Sequence, residues 1–156
     1  MSFVLMKMTE QGPTPRGMRR EFNQVSRSAF ETMGTHWHTK IRGKHFTAAG
    51  ASEYDYRERS KGYQRFKRRK YGHNLPLVLT GQSRRATNIG RIVATKNGVR
   101  VSMSAPRLNW SRGLTKPREE LTRISIRDKN TLVNVGDRAL GTGFKNIKKR
   151  RTTRLT

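Results

Sequence analysis

From residue 18 to residue 41 the apolar positions recur by threes and fours. Met18, Phe22, Val25, Ala29, Met33, Trp37 and Ile41 form one stripe, widened by Phe30, while Arg20, Gln24, Arg27, Glu31 and His38 occupy the other side. That period is the signature of a long amphipathic helix with one face turned to a core. Gly43 marks its expected end. Residues 2–8, SFVLMKM, suit a short first strand, and the run Gly12-Pro13-Thr14-Pro15-Arg16-Gly17 separates it from the helix.

Beyond Gly43 the pattern changes. Gly50, the small residues around it and the alternation of Tyr54 with Tyr56 predict an extended or looped segment over 44–56, with both rings on one face if it is a strand. Ser60 to Tyr71 predicts a second helix, with Tyr63 and Phe66 sharing a face amid cations. Gly72-His73-Asn74 is a turn. Leu75 to Leu79, led by Pro76, is too short for a helix and reads as extended and buried. Thr80 to Arg85 turns the chain. Residues 88–96 and 99–104 then flank Asn97-Gly98, a strong hairpin signal, with Ile89, Val93, Val99, Val101 and Met103 as its apolar side chains.

Pro106 to Pro117 is loop-like and holds Trp110. Residues 119–127 fit either period. Ser125 followed by Asp128 predicts a cap for a helix to about Leu140, with Leu132, Val135, Ala139 and Leu140 on its buried side, although Gly136 weakens the pattern. The expected fold is α+β: a long amphipathic helix on a small antiparallel sheet with a β-hairpin, a second basic helix and a basic C-terminal tail. The expected organisation is a single domain over 1–140 and a tail over 141–156, disordered in isolation, where Lys145 to Arg154 is dense in cations.

Composition adds a partner class. Lys and Arg number 35 against 10 Asp and Glu, a net charge of +25, and apolar residues make up only 32% of 156. A chain so charged repels itself when compact, and its modest core leaves room for stabilisation by copies of itself or by bound anions. Nucleic acid leads the candidates through phosphate neutralisation, ahead of an acidic protein surface. A membrane is disfavoured, because no apolar run approaches the roughly 20 residues of a spanning helix. Phe3 to Met6 has neither the basic start nor the cleavage site of a signal peptide. The absence of cysteine excludes disulfides and thiolate metal sites.

Candidate anion-facing residues are Arg65, Lys67, Arg68, Arg69 and Lys70 on the second helix and Lys148, Lys149, Arg150 and Arg151 in the tail. Trp110, Tyr54 and Tyr56 are candidate interface anchors. No catalytic constellation can be assembled. Glu53, Asp55 and Glu58 are interleaved with Arg57 and Arg59, which favours ionised, paired carboxylates over a tuned general acid. His36 and His38 stand two apart on a helix and face different sides, and His45 and His73 are isolated, so no metal spacing exists and no cofactor is expected. Phosphate-loop, dinucleotide and nucleophile-elbow motifs are absent.

One ordered series carries a resemblance. It runs HFT (His45 to Thr47), YDYR (Tyr54 to Arg57), Arg59-Ser60, Tyr63, a basic helix, PLVLTG (Pro76 to Gly81), a small hairpin and ELTRIS (Glu120 to Ser125). Over residues 18 to 140 this resembles the small tailed-bacteriophage virion proteins of the head–tail junction, called neck, tail-completion or head–tail joining proteins. The resemblance implies an α+β subunit without catalysis. It implies assembly into a six-fold or twelve-fold ring around the DNA channel, between portal-adaptor, neck and tail proteins. Contacts to the genomic DNA would then be backbone-directed and sequence-blind, because the DNA must slide. The basic tail is not part of the resemblance. Composition by itself also suits a sequence-nonspecific nucleic-acid-binding protein such as a ribosomal protein. A phage-encoded nuclease would need a carboxylate–histidine cluster that this chain does not offer.

Overall fold

The computed structural model describes residues 14–104, 108 and 116–153. The chain is α+β. It comprises α1 (Pro15–His36), α2 (Ala48–Glu53), α3 (Lys61–Tyr71), α4 (Gln82–Ala86), the hairpin strands β1 (Gly90–Thr95) and β2 (Gly98–Met103), α5 (Pro117–Leu121) and α6 (Ile126–Thr153). The expected strand over residues 2–8 and Trp110 lie outside the described residues.

α1 starts where a proline at its first position and a Thr14 side chain accepting from the Gly17 N–H, 3.2 Å away, start it. Its α-helical turns end at His36, before the expected Gly43. The chain widens into a π-helical turn over Trp37–Ile41 and then tightens into a 3-10 turn over Arg42–Phe46. The widened turn keeps Trp37 and Ile41 in the core. It also brings His38, expected on the outer side, against the Thr87 carbonyl at 3.1 Å.

α1 packs on the hairpin on one side and along α6 on another. The hairpin has the expected register, Ile92 opposite Val101 and Ala94 opposite Val99. The inward face belongs to Ile92, Ala94, Val99 and Val101, because alternation sends the intervening residues outward. Of the apolar side chains named for the hairpin, Val93 is 43% exposed, and Ile89, which precedes the strand, is 80% exposed.

Three expectations fail locally. Residues 48–53 are helical, not extended, because Thr47 caps a turn of small residues by accepting from the Gly50 N–H. Residues 75–79 are not a strand: Leu77 takes a left-handed φ of 53° and the segment turns, although Val78 is buried as expected. The turn expected over 80–85 contains the short helix α4.

The largest departure is α6. Ser125 caps it as predicted, its hydroxyl accepting from the Asp128 N–H at 3.1 Å. The helix then runs past Leu140 to Thr153, so the boundary expected at 140/141 falls within it, and residues 141–153 are helical. Gly136, taken as a weakness, is a point of close approach. A Cβ there would stand 2.7 Å from Met33 Sδ, and one at Gly143 would stand 2.5 Å from Val25 Cγ1. Glycine lets α6 lie close enough on α1 for the helix to persist despite its low propensity. Phe22 and Phe144 meet at the far end of this pair, ring centroids 5.7 Å apart.

A second core lies beyond the end of α1, where Phe46, Val78, Leu108 and Leu121 cluster under Leu75, Leu77 and Met103.

Candidate nucleic-acid interface

The residues of the landmark series meet inside the protein. His45 is fully buried and stacks on Tyr54 with ring centroids 3.8 Å apart, and its Nδ1 lies 2.5 Å from the Tyr56 hydroxyl. The Tyr54 hydroxyl donates to Asp128 Oδ2 at 2.6 Å, and Lys44 Nζ bonds Asp128 Oδ1 at 2.6 Å. Arg59 grips Glu120 with both terminal nitrogens, at 3.0 and 2.5 Å. Arg123 donates to the backbone carbonyls of Tyr54 and Asp55. Ser125 donates to Glu53 at 3.2 Å. Tyr54, 3% exposed, and half-buried Tyr56 are therefore internal packing residues, not interface anchors. Glu53 is paired as expected, but with Lys44 and Ser125, distant in sequence, and not with its arginine neighbours.

The knot ties distant segments together through hydrogen bonds and stacked rings. Burial pushes the His45 imidazole down to about 4 against the opposing pull of Asp128, so at neutral pH it is uncharged. Burial pushes the Tyr54 hydroxyl up, with Asp128 adding to it, and burial likewise raises Tyr56. For Asp128 burial alone would raise the pKa, but the Lys44 and Tyr54 hydrogen bonds overturn that and hold it below the usual carboxylate range. His45, Tyr54, Tyr56 and Asp128 are each fixed in one protonation state near neutrality. Among the described residues no group of three or more His, Asp or Glu is placed to hold a metal ion.

The basic helix forms as predicted. Ser60 caps it by accepting from the Tyr63 N–H at 3.3 Å, and Gly72 ends it in the left-handed region. α3 carries six Lys or Arg in its 11 residues and no acid. Arg65, Arg68, Arg69 and Lys70 are exposed, and none is ion-paired among the described residues. Phe66 is half exposed among them, with Lys70 Nζ 5.6 Å from its ring centre and Tyr71 edge-on at 6.4 Å. Lys67 is the correction. It is 6% exposed and turns inward, its ammonium donating to the Leu75 carbonyl and lying 5.9 Å from the Tyr63 ring. Burial, with Arg59 nearby, lowers its pKa to about 8. It ties α3 to the following loop and faces no ligand.

Lys148, Lys149, Arg150 and Arg151 ride on the last turns of α6, and their side chains lie outside the described residues. A simpler signal than the local runs was available. From Arg59 to Arg118 the chain has 16 Lys or Arg and no Asp or Glu. That block contains α3, α4 and the hairpin, whereas all ten acids lie on either side of it. The acids Glu53, Glu120 and Asp128 are spent on the internal knot, so the block's positive field faces outward largely uncancelled.

No family model, no curated protein and no solved structure matches this chain. Among the described residues no helix is long and apolar enough to cross a membrane.

Proposed function

We propose that this chain is a structural subunit of a tailed-phage head–tail junction that binds DNA through its phosphate backbone. The observation that carries the reading is the convergence of the landmark residues. His45, Tyr54, Tyr56, Arg59, Glu120, Arg123 and Ser125 come from the separate motifs of the resemblance and meet in one hydrogen-bonded knot, buried at His45, Tyr54 and Glu120. A motif order that specifies a shared scaffold behaves this way, and isolated matches by chance have no reason to. On that scaffold α3 and the acid-free block supply a sequence-blind polyanion surface.

In this reading copies assemble into a six-fold or twelve-fold ring around the DNA channel, beside neck, portal-adaptor and tail proteins. Exposed apolar side chains such as Met18 and Phe22 would gain burial between neighbours. The protein performs no reaction. Electron microscopy of the purified protein with duplex DNA tests this: rings of defined size that retain DNA are expected, and a species that stays monomeric at all concentrations with DNA present overturns it.

One observation favours a second reading, binding to RNA. Phe66, exposed and flanked by cations, offers a stacking platform to an unpaired base. Preference for structured RNA over duplex DNA in competition would select it.

A further inference from the structure

Arg42 is a buried cation that no carboxylate among the described residues pairs with. It is 8% exposed, and its hydrogen bonds all go to neutral oxygens. Nε donates to the His38 carbonyl at 3.1 Å. One terminal nitrogen donates to Thr87 Oγ1 at 2.7 Å and to the Arg84 carbonyl at 3.3 Å, and the other donates to Asn88 Oδ1. Charged groups held out of water this way normally sit beside an opposite charge.

Here the neighbour has the same sign. Arg84 and Arg85 stand exposed on α4, and Arg91 follows on the outward face of β1. Burial and the charge of Arg84 both lower the Arg42 pKa, so the two cations disfavour each other. α4 is nonetheless held firmly to the end of α1. Arg42 binds the Arg84 carbonyl within α4 and the Thr87 and Asn88 side chains just after it, Thr87 is fully buried and donates to the Arg84 carbonyl at 3.0 Å, and His38 meets the Thr87 carbonyl. A buried cation thus lies against a short helix that carries two exposed ones, and among the described residues no carboxylate pairs with any of the three.

We infer that α4 is an anion-binding site, in which Arg84 and Arg85 take a phosphate of a nucleic-acid backbone over the buried charge of Arg42. The site is separate in sequence from α3 and gives the chain a second point of backbone contact. Arg84 and Arg85 contact the ligand, and Arg42 is a positioning residue that fixes the α4 backbone and adds field from behind. The inference rests on the reading of the chain as a backbone binder.

The test uses the full chain, a labelled 20-base-pair duplex, and inorganic phosphate as a separate probe. Arg84→Gln/Arg85→Gln is expected to weaken duplex binding and to reduce the slope of log K against log salt by about 0.9, the share of one phosphate contact. Without DNA at low salt, the same variant is expected to melt no lower than the wild type, because a repulsion has been removed. An unchanged slope overturns the inference. A lowered melting temperature without DNA also overturns it, since the arginines would then serve the fold. If inorganic phosphate alone raises the wild-type melting temperature as far as duplex does, and the variant loses both shifts, the site takes the free ion and the backbone assignment falls. Arg65→Gln/Arg68→Gln/Arg69→Gln reports on α3 independently. A normal slope there beside a reduced slope in the α4 variant sinks the α3 reading and keeps this one.

Discussion

The Tyr54 hydroxyl donates to Asp128 across 74 residues of chain, at 2.6 Å, on a carboxylate that is fully buried. The other carboxylate oxygen holds the Lys44 ammonium. The bond joins the segment after α2 to the first turn of α6. Tyr54→Phe removes one donor and leaves Lys44 in place, so a loss of about 1–2 kcal/mol is expected. Asp128→Ala leaves the buried Tyr54 hydroxyl without its acceptor and releases the part-exposed Lys44 to water, and is expected to cost more, about 2–3 kcal/mol. Urea unfolding measures both, and equal effects from the two changes would mean the ammonium is not held there.

His45 makes stability depend on pH. Its folded pKa is depressed to about 4 from the ordinary 6.5, so the unfolded chain takes up the proton first. Stability present above pH 6.5 is therefore lost as pH falls through the window from 6.5 to about 4, to the extent of about 3 kcal/mol. Asp128, whose pKa is lowered, contributes its own loss only further into acid. His45→Gln should flatten the decline between pH 6.5 and 4 in denaturant titrations. A decline of full steepness in that variant would assign it to other groups.

The glycines of α6 report on its docking. Gly143→Ala puts a methyl 2.5 Å from Cγ1 of the stiff, branched Val25 and is expected to cost about 1–3 kcal/mol. Gly136→Ala meets the end of the flexible Met33 and should cost less. At Gly141 nothing lies within 4 Å of a new Cβ, so Ala there should stabilise the helix by about 0.5–1 kcal/mol. Thermal melts of the three variants should rank in that order. A destabilising Gly141→Ala would show that residues past Leu140 are not helical.

Lys67 and its neighbours should separate cleanly. Arg65→Gln/Arg68→Gln/Arg69→Gln should leave the melting temperature near wild type and make the salt slope of DNA binding shallower by up to about 0.9 for each contact removed. Lys67→Gln should leave that slope unchanged and alter stability instead, because its ammonium bonds the Leu75 carbonyl inside the fold. A slope change for Lys67→Gln equal to that of an exposed arginine would place Lys67 on the binding face.

The linear order of residues determined whatever depends on near neighbours and on totals. The threes and fours of α1, the helix over Ser60 to Tyr71, the cap at Ser125, the Asn97-Gly98 hairpin and the excess of cations could all be read there, since each is a local propensity or a sum. Only the tertiary structure decided which cation of α3 turns inward, that Tyr54 and Tyr56 pack around His45, and that Arg42 is enclosed by α4. It also decided that residues 141–153 remain helical. The reason is the same in each case. Propensity and period register a residue's own preferences, whereas the direction of a side chain and the fate of a weak helix depend on a partner, here Met33 or Asp128, placed by the fold from many residues away.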